Sequence, residues 1–146
     1  MLAENSTAVA DESRDFEDTA KKSAPPCVLV VDDERLLRWS VAETLAAQGY
    51  DIVEAVDART AMQAFGDGER TDLVLLDLRL PDVSDLRLLA RIRQKGPDVP
   101  VILMTAFPTR EIIEEAGELG AHVLIKPFDL DALVAGVERA LTPRVY

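Results

Sequence analysis

Leu73-Val-Leu-Leu-Asp77 is the stretch on which the reading of this chain turns. Four consecutive aliphatic residues, with no polar residue alternating between them, describe a strand covered on both faces. Such strands belong to parallel sheets with helices on either side, which puts the terminal acid at a sheet edge. Outward from this segment the same signature recurs. Cys27-Val-Leu-Val-Val31 runs into Asp32 and Asp33, Val101-Ile-Leu-Met104 into Thr105, and an apolar run from about His122 to Ile125 into Lys126. A further strand is expected at Tyr50-Asp-Ile-Val53.

Between these runs the apolar period becomes helical. A helix from about Arg35 to Gln48 carries Leu37, Val41, Thr44 and Leu45 on one face, and Gly49 is placed to end it. Asp57 is placed to cap a helix whose inner face is Ala58, Ala61, Met62 and Phe65. Leu86, Leu89 and Ile92 mark a third helix, and Pro97 and Pro100 bracket the turn that follows it. Pro108 suits the first turn of a helix with Ile112, Ala116 and Leu119 inward. Asp129 is expected to cap a last helix bearing Leu130, Leu133, Val137 and Leu141. Strict alternation of strand and helix predicts an α/β fold, a five-stranded parallel sheet with five helices on both faces.

The chain has 146 residues, of which 48% are hydrophobic, enough for one core plus a tail. Residues 1–26 hold six acids and three bases without apolar periodicity, close on Pro25 and Pro26, and are expected to be a disordered extension. The domain is expected over 27–142, with 143–146 a short tail. A formal net charge of −11 argues against direct contact with nucleic acid or an anionic membrane. Cys27 is the single cysteine, so no internal disulfide forms, and it reads as a small core residue. No apolar stretch approaches a membrane span and the N-terminus is unlike a signal peptide, which together point to the cytoplasm.

In a parallel sheet all strand C-termini share one edge, so Asp32, Asp33, Asp77, Thr105 and Lys126 converge there. Three carboxylates brought together repel, so each has its proton affinity raised or needs a cation. Their all-oxygen donor set suits Mg²⁺, which leaves positions for phosphoryl oxygens. Lys126 offers a point charge to a phosphate and Thr105 a hydroxyl. With a carboxylate as nucleophile, this is equipment for phosphoryl transfer to aspartate. Each residue alone has a plainer role. Asp32 or Asp33 can simply cap a helix, Thr105 can be a turn residue near Pro108, and Lys126 can be a surface lysine.

Val30-Val-Asp-Asp-Glu34, Leu75-Leu-Asp-Leu-Arg-Leu-Pro81, Met104-Thr-Ala106 and Lys126-Pro-Phe128 occur in order and together resemble the receiver domains of two-component response regulators. The resemblance covers about Cys27 to Leu141 and implies a flavodoxin-like sheet of order 2-1-3-4-5. It implies that Asp77 is the phosphoacceptor. Asp33, Asp77, the backbone carbonyl of Arg79 and, directly or through water, Asp32 would hold Mg²⁺, while Thr105 and Lys126 would act on the phosphoryl group. It implies a cis bond at Lys126–Pro127 and assigns Ala106, Pro127 and Val123 to the switch and its backbone. A sensor histidine kinase is the implied donor. A downstream effector is the implied reader of the face made by the fourth helix, fifth strand and fifth helix, and a second copy of the chain, on phosphorylation, is a further partner to be expected. Asp32-Asp-Glu-Arg-Leu-Leu-Arg-Trp39 is similar to receivers of nitrogen-regulatory, enhancer-binding activators. The chain ends at Tyr146, so on this reading it is a stand-alone receiver or a fragment.

Two positions depart from the family pattern. Asp85 stands where a glycine is usual, so the loop after Pro81 is expected to be shaped differently. Val123 stands where an aromatic is usual, three residues before Lys126, in a segment one residue short. The altered switch keeps open a degenerate receiver that binds a partner without phosphorylation. A phosphatase resembling the haloacid-dehalogenase family is disfavoured, because Arg79 stands where a second acid is needed.

Overall fold

The computed structural model describes residues 24–66 and 70–142. The expected disorder of the N-terminal extension, up to residue 23, and the tail at 143–146 lie outside the described residues. Five strands, β1 (Cys27–Val31), β2 (Asp51–Ala55), β3 (Leu73–Asp77), β4 (Val101–Thr105) and β5 (Ala121–Ile125), alternate with five helices. These are α1 (Arg35–Ala47), α2 (Ala58–Gly66), α3 (Arg87–Lys95), α4 (Arg110–Glu118) and α5 (Leu130–Leu141). All strands pair in parallel in the order β2-β1-β3-β4-β5.

The continuous apolar runs are explained by two separate cores. Leu29, Val31, Val74, Leu76, Val101 and Leu103 face α2, α3 and α4 on one side. Val28, Val30, Leu73, Leu75, Ile102 and Met104 face α1 and α5 on the other. Every residue of β3 and β4 is buried, so each strand stabilises both layers by burying apolar area on both faces.

Several local expectations are corrected. β2 begins one residue later and runs two residues further than Tyr50–Val53, because pairing with β1 carries it to Ala55. Pro108 precedes α4 instead of opening it, since Thr109 is the cap and its side chain accepts from the Ile112 N–H at 3.2 Å. Asp129 occupies the cap position of α5 without a side-chain bond, and Leu130 is exposed. Cys27 is half-buried at the start of β1, with its N–H donated to Asp72 Oδ2 at 2.8 Å. By contrast Asp57 caps as expected, accepting from the Thr60 N–H at 2.8 Å, and Gly49 ends α1 with φ +97°.

Candidate functional site

The strand order reverses between β1 and β3, which places the ends of those two strands side by side at the crevice where open α/β sheets bind ligands. Asp32 follows β1 and Asp77 ends β3, and both are buried, as is Thr105 at the end of β4. Asp33 is exposed at the rim. The pairing of β4 with β5 brings Thr105 opposite Ile125, so that the Lys126 N–H donates to the Thr105 carbonyl at 2.8 Å. The next peptide bond, Lys126–Pro127, is cis. Lys126 Nζ lies 3.3 Å from Asp32 Oδ2 and 3.3 Å from Asp77 Oδ1.

Backbone donors fix these carboxylates. Asp32 Oδ1 accepts from the Glu34 N–H at 2.9 Å, and Asp77 Oδ1 accepts from the Arg79 N–H at 3.4 Å. No side chain caps α1, so Asp32 and Asp33 are not held by helix capping. Burial first, and then the charge of Asp32, raises the proton affinity of Asp77, with Lys126 and the Arg79 N–H opposing. Burial works against the Lys126 ammonium, yet Asp32 and Asp77 outweigh it and raise its pKa. One ammonium facing two buried carboxylates, with a third acid at the rim, leaves the cluster short of positive charge.

The donor set tests whether a hard cation belongs here. One carboxylate oxygen from each of Asp32, Asp33 and Asp77 lies within 4.8 Å of the others. All three are oxygen donors, with two buried and one open to solvent. That combination fits Mg²⁺, which takes few protein carboxylates and keeps waters.

Thr105 Oγ1 accepts from the Phe107 N–H at 3.1 Å, and Ala106 between them is exposed. Val123 sits elsewhere, half-buried against the core under α2, α3 and α4. Asp85 adopts no left-handed conformation, since no described non-glycine residue has positive φ. Its carboxylate instead accepts from the Arg87 N–H at 3.0 Å and turns the chain into α3.

Three supporting side-chain links were missed in the sequence. Arg38 donates to the Asp32 carbonyl at 2.9 Å and to Glu54 at 3.1 Å, tying the β1–α1 loop to β2. Asp82 accepts from the N–H groups of Ala58 and Arg59 at 2.9 and 3.1 Å, tying the loop after Asp77 to the start of α2. The Arg79 guanidinium lies 4.5 Å from the Phe107 ring centre, joining the loops after β3 and β4. Each joins residues distant in sequence, so no local pattern announces it.

Comparison with known proteins agrees with this geometry. Residues 28–138 match the response regulator receiver domain family. The chain is 41% identical over 115 residues to the regulatory protein AtoC of Escherichia coli, covering 78% of this chain and 25% of AtoC. It is 34% identical over 125 residues to the transcriptional regulatory protein PdtaR of Mycobacterium tuberculosis, covering 84% of this chain and 60% of PdtaR. The chain thus spans between a quarter and three fifths of these relatives. The crystal structure of the NtrX receiver domain from Brucella abortus superposes with a TM-score of 0.71 at 36% identity, covering 78% of this chain and 97% of that one. A parallel sheet of this order, with a buried Asp–Lys cluster at its switch point and a family match across nearly all of it, places the chain in the response regulator receiver domain family, whose general function is signalling through phosphorylation of an aspartate.

Proposed function

We propose that residues 27–142 form a receiver unit that accepts a phosphoryl group on Asp77 from a phosphohistidine of a sensor histidine kinase. The carrying observation is the setting of the Asp77 carboxylate, which is buried at the switch point with the Lys126 ammonium and the Arg79 N–H both at Oδ1. This carboxylate is the nucleophile. It attacks phosphorus in line, the P–N bond breaks, and the imidazole leaves with the electron pair. Lys126, already beside Oδ1, pairs with a phosphoryl oxygen. The Thr105 hydroxyl turns from the Phe107 N–H to donate to the phosphoryl group.

Asp32, Asp33, Asp77 and the Arg79 carbonyl would hold Mg²⁺, which when bound offsets charge on the phosphoryl oxygens. Movement of Thr105 biases the face formed by α4, β5 and α5, which a downstream effector or a second phosphorylated copy reads. A cytoplasmic setting suits both partners; no described helix is long and apolar enough to cross a membrane. Incubation with acetyl phosphate and Mg²⁺ should give a hydroxylamine-labile label that maps to Asp77 and is absent from Asp77→Asn. Equal labelling of the variant would overturn the assignment.

A phosphorylation-independent binding role is the second reading, supported by Val123, which packs into the core where an aromatic switch is expected. Amide spectra that stay unchanged on adding beryllofluoride with Mg²⁺ would favour it.

A further inference from the structure

Charge is unevenly distributed over this acidic chain. Helices α2 and α3 together carry Arg59, Arg87, Arg91, Arg93 and Lys95 and not one acid. Between them runs a groove lined by Arg59, Met62, Gln63, Val83, Arg91 and Lys95. Arg91 and Lys95 are four residues apart on one face of α3, a like-charge pair that disfavours the helix. Among the described residues neither forms an ion pair, nor does Arg59. Asp82 also borders the groove, but its carboxylate is bonded to the N–H groups of Ala58 and Arg59. Asp57 faces Arg59 from the start of α2 while accepting from Thr60. Lys95 Nζ lies against the last turn of α2, where a Cβ on Gly66 would stand 2.9 Å from it. That contact suits the helix dipole and leaves the ammonium's charge uncompensated by any described carboxylate.

We propose that this groove docks the chain's own acidic stretch, Asp11-Glu-Ser-Arg-Asp-Phe-Glu-Asp18. The stretch holds five acids against one base, with Phe16 among them. Its charge is the complement of the groove's, and Phe16 matches the apolar floor made by Met62 and Val83. The reach is sufficient. The Cys27 N–H is bonded to Asp72 in the connection from α2 to β3, so the described chain enters the sheet at the edge where strands begin, the edge toward which α2 and α3 run and end. The six residues from Asp18 to Ala24 extend up to roughly 20 Å. The docked stretch covers the α2–α3 surface and leaves the edge bearing Asp77 open.

The test uses the full chain. A carbodiimide joins amines to carboxylates that are already in contact, with no added spacer. Lys95 should couple to the peptide carrying Asp15, Glu17 and Asp18 in a species of monomer mass. The yield should fall several-fold in about 0.5 M NaCl, where screening is within a few ångströms. Replacing Asp15→Asn, Glu17→Gln and Asp18→Asn together should remove the coupling and shift the amide resonances of Gln63 and Arg91, with the melting temperature little changed. Coupling of Lys95 only to Asp67 or Glu69, coupling only in a species of dimer mass, or groove resonances identical in the two chains would each overturn the proposal, the dimer result assigning the groove to a second copy.

Discussion

Lys126 and Arg93 are half-buried cations at opposite edges of the same sheet, and they are answered differently. Arg93, at the edge where strands begin, donates to four backbone carbonyls, those of Leu119, Gly96, Pro97 and Val99, at 2.6 to 3.1 Å. Its charge is met by neutral dipoles that the turns would otherwise leave unpaired, and the arrangement is complete in itself. Lys126, at the edge where strands end, faces two buried carboxylates with a third nearby. That cluster is not balanced by the protein alone. A cleft of about 610 Å³ adjoins Arg93 and His122, yet the proposed chemistry lies at the other edge. An electrostatic deficit, more than a concavity, marks the end of this molecule to which the proposal assigns function.

Substitutions at the two cations should separate these roles. Lys126→Met leaves Asp32 and Asp77 without their shared cation and should lower stability by about 2–4 kcal/mol at neutral pH. Millimolar Mg²⁺ should recover part of that loss in a thermal melt, and labelling by acetyl phosphate should fall sharply. Arg93→Met should cost about 1–3 kcal/mol through the unpaired carbonyls, with no response to Mg²⁺ and labelling intact. If Mg²⁺ rescued both variants equally, the contrast between the edges would fail.

A smaller effect, of opposite sign, is expected at Asp77. Burial and then Asp32 make its carboxyl hold a proton more tightly in the folded chain than in the unfolded one. A raised folded-state pKa contributes stability that is complete below the unfolded value, about 4, and is lost as pH rises through the folded value. Without a bound cation the ionised group is then a net cost at pH 7. Asp77→Asn should therefore raise stability at pH 7 by on the order of 1 kcal/mol, a gain that disappears as pH falls below about 4. Denaturant midpoints across that pH range check it. The smallest expected change is at Phe107→Ala, which removes the ring under Arg79 and should cost about 0.5–1 kcal/mol.

The sheet was legible because burial on both faces forces continuous apolar runs, and Leu73–Leu76 and Val101–Met104 are too short for buried helices and recur in alternation with helical patterns. The converging residues were legible for the same reason, since parallel strands deliver their last polar side chains to one edge. Local pattern failed where a bond joins distant residues. Nothing near Ala58 announces that Asp82 will receive its N–H, and nothing near Arg38 announces Glu54 on β2 as its partner. Capping failed at Pro108 and Asp129 because a cap depends on the angle at which the chain enters the helix, which tertiary packing sets. Asp85 stands where the family usually has glycine, and there the chain turns into α3 without a left-handed residue, through a side-chain bond from the Arg87 N–H.

Titration with Mg²⁺, followed by amide resonances of the full chain, tests the electrostatic deficit most directly. Resonances around Asp32, Asp33, Asp77 and Lys126 should move together and saturate with one ion, while those around Arg93 and His122 stay still. A spectrum unchanged at the first group, or moving most at the second, would contradict it.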